Sequence, residues 1–132
     1  MISLCCPSRG RPKLAQRLVK TALETTSDEN NIEFLFYLND DDPTLDQYKQ
    51  LLDPKFFSVG PHQSTCLSWN ELAEKSNGDI VFLAGDDIQF QTKDWDREIE
   101  KTFKKFGINP TNDDIASWRY KDISQLENYL SK

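Results

Sequence analysis

The sequence predicts an α/β fold with a mainly parallel central sheet and helices on both of its faces. Three observations predict it. Apolar runs at Ile2 to Cys6, Ile32 to Leu38 and Ile80 to Ala84 are short and continuous, as strands buried on both faces are. Segments with apolar residues at helical spacing separate them. Each run stops at a polar or glycine-containing turn, so strands and helices alternate, and that alternation implies right-handed crossovers between parallel strands.

The elements follow in order. Ile2 to Cys6 meets Pro7-Ser8-Arg9-Gly10, which reads as a buried strand running into a loop. Pro12 then opens a helix, because the first helical residue has no use for an N–H. Leu14, Ala15, Leu18, Val19, Ala22 and Leu23 form a stripe that carries this helix to about Thr26. Ile32 to Leu38 is apolar throughout, reads as a central strand and ends at Asn39-Asp40-Asp41-Asp42-Pro43. A short helix is predicted over Leu45 to Leu52 and a brief strand over Phe56 to Val59, broken by Gly60-Pro61. Ser64 to Ser76 predicts a third helix, with Gly78 just past its end. Ile80 to Ala84 reads as another buried strand, and Gly85-Asp86-Asp87 follows it directly. Trp95, Ile99, Phe103 and Phe106 mark a helix ending near Gly107; beyond it, Ile115 to Tyr120 suits a strand and Ile123, Leu126 and Leu130 a short helix. No repeat or low-complexity linker interrupts the 132 residues, which are therefore read as one domain.

Composition narrows the partners. Sixteen Lys and Arg against 22 Asp and Glu give a net charge of -6, so the chain as a whole does not attract nucleic acid or an anionic membrane. Any phosphate site must be local. Three cysteines are an odd number, and adjacent Cys5 and Cys6 on a strand point to opposite faces, so buried free thiols in a reducing compartment are expected rather than disulfides. With no basic leader before an apolar stretch, and no run of membrane-spanning length, a soluble cytoplasmic protein is expected.

On a parallel sheet, ligands bind beyond the carboxyl ends of the strands. Those ends carry Pro7-Ser8-Arg9-Gly10-Arg11, Asn39-Asp40-Asp41-Asp42 and Gly85-Asp86-Asp87, which the topology gathers along one rim. Asp86 and Asp87 offer the hard oxygens that suit Mg²⁺ or Mn²⁺. Arg9, Arg11 and Lys13 crowd the first loop, where a guanidinium can clamp phosphate oxygens. Asn39 to Asp42 can accept hydrogen bonds from a base or a ribose. Taken alone, each cluster also has a plain alternative: a strand-exit turn or helix cap, a solvated basic turn and an Asp-Pro turn. Other chemistries lack their parts. His62 is the only histidine and no Gly-x-Ser-x-Gly elbow exists, no glycine-rich phosphate cradle follows the first strand, and the cysteines lack zinc spacing.

Four places together resemble the nucleotide-diphospho-sugar transferases of the GT-A type, the large family that includes cellulose synthase-like and bacterial-polysaccharide enzymes. Ile2 to Arg11 is similar to that family's opening strand and Pro-Thr-x-Asn-Arg-like loop, with Ser8 at the Thr position and Gly10 at the Asn position. Leu38 to Asp42 is similar to its acidic, base-binding end of the second strand. Asn70 followed by Gly78 resembles its Ala-Arg-Asn helix and the glycine before its metal-site strand, with Trp69 where Arg is usual. Ile80 to Asp87 resembles the strand leading into its Asp-x-Asp motif, with Ala84 in place of the first Asp.

The resemblance implies a Rossmann-like GT-A domain with a shortened acceptor-side region after about residue 107. It implies donor binding by Pro7, Ser8, Arg9, Arg11, Asn39, Asp40, Asp41, Asn70 and Gly85, and Mn²⁺ or Mg²⁺ at Asp86 and Asp87. Asp86 would also serve catalysis. The acceptor's base would be Asp114, since Asp113-Asp114 resembles the family's Glu-Asp pair, or Asp122 if Ile115 to Tyr120 is a strand. The expected activity is transfer of a sugar from a UDP-sugar, UDP-glucose foremost, to the hydroxyl of an unknown acceptor. The alternative is a non-catalytic nucleotide-sugar binding module derived from a longer transferase. A third reading is an interaction protein whose rim acids are merely solvated.

Overall fold

The computed structural model describes residues 1–105. Its strands are β1 (Ile2–Ser8), β2 (Ile32–Asn39), β3 (Phe57–Gly60) and β4 (Ile80–Leu83), and its helices are α1 (Pro12–Thr25), α2 (Leu45–Leu51), α3 (Thr65–Lys75) and α4 (Trp95–Lys105). Short 3-10 turns at Glu29–Asn31 and Pro54–Phe56 lead into β2 and β3. The strands form one sheet in the order β3-β2-β1-β4, and all three pairings are parallel. This is the expected α/β, Rossmann-like architecture. Met1–Asp96 form one compact unit; a second begins at Arg97, and within it the described residues continue α4 to Lys105. The predicted end of that helix at Phe106 and Gly107, the strand at Ile115 to Tyr120, the final helix, and Asp113, Asp114 and Asp122 lie outside the described residues.

Strand alternation sorts the core into two layers. Cys5 and Tyr37 point to one face, where they pack with Leu72 of α3 and draw in Leu35 and Trp69. Phe36 and Phe57 share the other face, meeting edge-on at 6.4 Å, and Tyr48 of α2 packs edge-on to Phe57 at 6.5 Å. Helix α1 lies beside α2 and buries Ala15, Leu18, Val19 and Ala22, the core of the predicted stripe. The same face of β4 carries Phe82, which packs at a tilt against Phe90 and edge-on to Trp95, and the Trp95 indole N–H donates to the Ala22 carbonyl at 3.1 Å.

One expectation needs correction. β4 is an edge strand rather than a fully buried one: among the described residues it pairs with β1 alone, and Val81 and Leu83 are 39% and 48% exposed. An apolar run does not tell a central strand from an edge strand whose apolar side is left open.

Two glycines are fixed by geometry. Gly10 has a φ of +68°, the left-handed region that residues with a Cβ avoid. At Gly78 a Cβ would lie 2.5 Å from Ser3 Oγ and 2.7 Å from the Met1 carbonyl, so backbone itself fills the space. That close approach lets the Gly78 N–H donate to Ser3 Oγ at 2.8 Å while Ser3 donates to Glu33 at 2.5 Å.

Candidate functional site

The carboxyl ends of β1, β2 and β4 converge as the alternation predicts, and hydrogen bonds lock them together. Ser8, at the end of β1, donates its hydroxyl proton to Asp86 Oδ2 at 2.8 Å. That leaves Ser8 as the acceptor from Tyr48, whose phenol lies 2.6 Å away. The Tyr48 oxygen in turn accepts the Arg11 backbone N–H at 3.0 Å. Burial raises the Tyr48 pKa, which keeps this phenol protonated as the relay requires. The chain of donors therefore runs from Arg11 through Tyr48 and Ser8 to a single buried carboxylate.

Asp86 is only 3% exposed, and its charge is met by the Arg11 guanidinium, with Nε 3.2 Å from Oδ2. Ser8 and Arg11 therefore engage the same oxygen. Asp87 is exposed, and its carbonyl accepts from the Arg17 guanidinium at 3.1 Å. Ala84 is fully buried in the place of the first Asp of the resembled motif, and its carbonyl accepts from the Trp69 indole N–H at 3.4 Å, which also reaches the Cys5 carbonyl at 3.2 Å. Trp69 thus ties the middle of β1 to the residue just after β4, a structural job for the residue that stands where the resembled family has Arg. Among the described residues no group of three or more His, Cys, Asp or Glu is placed to hold a metal ion. The donor set at Asp86 and Asp87 fits a hard divalent cation only as part of a shell that ligand oxygens complete.

Arg9 reaches across to the end of β2, donating to Asp41 at 2.6 Å and Asn39 at 3.1 Å. The guanidinium beside it holds the Asp41 pKa below the ordinary carboxylate value. Asp40 is exposed and is anchored by its backbone, which donates to the Gly60 carbonyl at 2.8 Å. Asp42 is the residue that sequence reasoning did not single out as a site residue. It is buried and accepts from the Gly10 N–H at 2.8 Å and from the Thr44 N–H and hydroxyl at 2.8 and 2.7 Å. Burial opposes its ionisation, but those bonds, with the Arg9 charge, outweigh burial and lower its pKa. Asp42 is therefore a brace that fixes the basic loop against the acidic one. Its Asp-x-Thr spacing was the available signal, since an Asp accepting from the backbone two residues on is a common turn device.

Between these loops and the start of α3 lies a cleft of about 220 Å³. Pro7, Ser8, Arg9, Arg11 and Asn39 line it, and Tyr37, His62 and Gln63 join them. His62, read from sequence as a plain loop residue, thus borders the cleft. Asp40, Asp41, Gly85, Asp86, Asp87 and Asn70 are not among its lining residues, and Asn70 is exposed on α3. A larger hollow of about 560 Å³ at the amino end of β2 collects none of the predicted residues. The thiols differ from expectation at one position: Cys5 and Cys6 are buried, with Cys5 pushed up to about 12 by burial and the Glu33 charge, whereas Cys66 is exposed on α3. No helix among the described residues is long and apolar enough to cross a membrane.

No protein-family model matches the chain, and no curated protein matches it. Solved structures of S. aureus TarS, a GT-A glycosyltransferase, share its fold. One superposes with a TM-score of 0.55 at 14% identity, over 80% of this chain and 20% of the TarS chain. A second, of TarS 1-349, gives 0.55 at 15% identity, over 79% of this chain and 32% of that one. At such identity the likeness is one of fold, and this chain spans a fifth to a third of the TarS chains it matches.

Proposed function

We propose that this chain is the donor-binding domain of a GT-A type glycosyltransferase, which takes a UDP-sugar and passes the sugar to an acceptor hydroxyl. The observation that carries the reading is the cleft at the strand ends, where Arg9 and Arg11 stand beside Ser8 and Asn39. The fold it shares with TarS supports the same reading. In this reading the base enters beside Asn39 and Tyr37, and the diphosphate lies toward Arg9, Arg11 and the Gly85-Asp86-Asp87 turn. UDP-glucose is the donor that the family resemblance favours.

Magnitudes favour a cation at this site. Two unit charges about 4 Å apart repel by about 4 kcal/mol at an effective dielectric constant of about 20. A hydrogen bond to a charged group contributes about 1.5–3 kcal/mol. Arg9 and Arg11 already face Asp41 and Asp86, so two arginines among several aspartates do not offset a diphosphate. Asp86, with Asp87 beside it, would hold Mn²⁺ or Mg²⁺, and the ion would supply the positive charge that stabilises a leaving diphosphate. The chain's own residues do the rest. Ser8 and Tyr48 fix the Asp86 carboxylate, the arginines exchange carboxylate partners for phosphate oxygens, and Asp114 deprotonates the acceptor.

Calorimetric titration with UDP, CDP, GDP and UDP-glucose, with Mn²⁺ and with chelator, tests the reading. UDP should bind best, and more tightly with metal. Preference for GDP or CDP would overturn the base assignment, and no nucleotide binding at all would leave an interaction protein. Release of UDP in the presence of candidate acceptors then separates a transferase from a binding module.

A further inference from the structure

Gln63 lies between β3 and α3, one residue before Ser64, whose hydroxyl caps α3 by accepting from the Leu67 N–H at 3.2 Å. Its side-chain nitrogen is buried and has no hydrogen-bond partner, the one such side-chain atom among the described residues. A buried donor left unmet is a standing cost to the folded state, and in native proteins it calls for a physical reason. Gln63 lines the cleft at the strand ends, where a turn of its side chain would bring the amide to a bound ligand.

Several neighbouring groups are already occupied. Tyr37 donates its phenolic proton to the Pro61 carbonyl at 2.7 Å, and Ser8 donates to Asp86. Asn39 Oδ1 accepts from Arg9, and the Ser68 hydroxyl donates to the Ser64 carbonyl at 3.1 Å. Of these lining side chains, Gln63 is the one whose amide nitrogen is both buried and without a partner. The cleft volume is below the roughly 300–1,000 Å³ of whole-ligand sites, so it suits one ring rather than an entire nucleotide.

We propose that Gln63 is a specificity-determining residue for the nucleobase, its buried side-chain amide donating to a ring carbonyl oxygen and so selecting a keto pyrimidine over an amino pyrimidine. The proposal rests on the reading that this cleft takes the base of a nucleotide. The two pyrimidines differ at ring position 4, where a keto ring presents an acceptor and cytosine an amino donor. An amide N–H satisfies the first and confronts the second with another donor. A site built around such a bond rejects the analogue that cannot make it, because the polar group is then left unpaired.

The test compares UDP and CDP binding to the full chain and to Gln63→Met and Gln63→Glu, with thermal unfolding of each ligand-free protein. Methionine keeps the length and removes the donor. Gln63→Met should therefore weaken UDP about tenfold, leave CDP within about twofold, and leave Tm unchanged or raised because no orphan donor remains. Gln63→Glu, an acceptor, should shift the preference toward CDP. If the wild type binds neither nucleotide, the cleft reading and this proposal fall together. If it binds UDP but both variants keep its UDP-to-CDP ratio, the cleft reading stands and the assignment of Gln63 is overturned. A fall in Tm with an unchanged ratio would make Gln63 a scaffold residue and overturn the proposal as well.

Discussion

Ser8 Oγ sits 2.8 Å from Asp86 Oδ2, and that bond joins the end of the first strand to the turn after the last one in the sheet. Because Tyr48 donates to Ser8 behind it, the carboxylate is the terminal acceptor of a buried relay. Its charge therefore matters both to the fold and to any cation that approaches the turn.

Asp86→Asn keeps the shape but removes the charge that Ser8 and Arg11 address. It should lower stability by about 1–3 kcal/mol in denaturant unfolding, the usual effect of weakening a buried charged hydrogen bond. It should also remove most of the gain in UDP affinity that Mn²⁺ provides. Asp87→Asn should change both quantities less, since Asp87 is exposed. Equal UDP affinities with Mn²⁺ and with chelator in the wild type would sink the metal role.

Arg11→Ala makes two predictions of opposite sign. The guanidinium beside Asp86 competes with a cation for the same carboxylate. Its removal should strengthen Mn²⁺ binding to the free protein, read by paramagnetic relaxation or calorimetry. UDP affinity should meanwhile fall about tenfold or more while uridine affinity stays nearly constant, because a charge-assisted bond to phosphate is lost. Arg9→Ala should share the second effect. Equal losses for UDP and uridine would show that neither arginine meets phosphate.

Asp96 gives the fold an acid-sensitive clasp. Its carboxylate, fully buried at the first turn of α4, accepts from the Ser27 N–H at 2.9 Å and the Ser27 hydroxyl at 2.6 Å. Burial opposes ionisation, but these bonds, with Thr26 and Asn31, win and hold the pKa at about 2 against an ordinary 3.8. A folded-state pKa below the unfolded one adds stability above pH 4 that is lost as pH falls toward 2. That difference is worth about 2 kcal/mol. Asp96→Asn should lose about that much at pH 7, and its stability should decline less than the wild type's between pH 4 and pH 2. Parallel stability curves for the two proteins across that interval would refute the assignment.

Gly78→Ala should cost about 1–3 kcal/mol, the usual range for overpacking, because the added methyl meets the Met1 and Ser3 backbone as well as the Ser3 hydroxyl. Gly60→Ala meets instead the Tyr37 phenol, 2.6 Å away. Tyr37 would have to leave its bond to Pro61, so that variant should alter the cleft as well as stability. Urea unfolding compared with UDP titration separates the two effects.

The strand-ending turns were legible because the chemistry is local. Asn39 to Asp42 and Gly85 to Asp87 follow apolar runs directly, and the parallel topology brings them together wherever the strands pair. What could not be read was partnership. Tyr48 looks like one apolar position of a short helix, yet its phenol organises the site from forty residues away. Asp42 looked like one acid of three, and only its contacts set it apart as a brace. The open side of β4 escaped for the same reason, since Val81 and Leu83 are as apolar as any central strand. Sequence carries period and residue type, while these roles depend on which distant group completes each bond.

The strand order also constrains how the chain reaches its fold. β1 is synthesised before the other three strands, yet its second neighbour in the sheet is β4, with Ile2 facing Ile80. Until β4 is available, one edge of this inner apolar strand has backbone N–H and carbonyl groups with no ladder to join. β1 can pair early only with β2, and closing the remaining edge must overcome the loop entropy of almost everything between. Pairings this distant in sequence slow folding and leave strand edges open to other chains while they wait. A nascent chain stalled before Ile80 therefore exposes the strand Ile2–Ser8 as a template for misassembly, and the late arrival of β4 sets the point in synthesis at which that hazard ends.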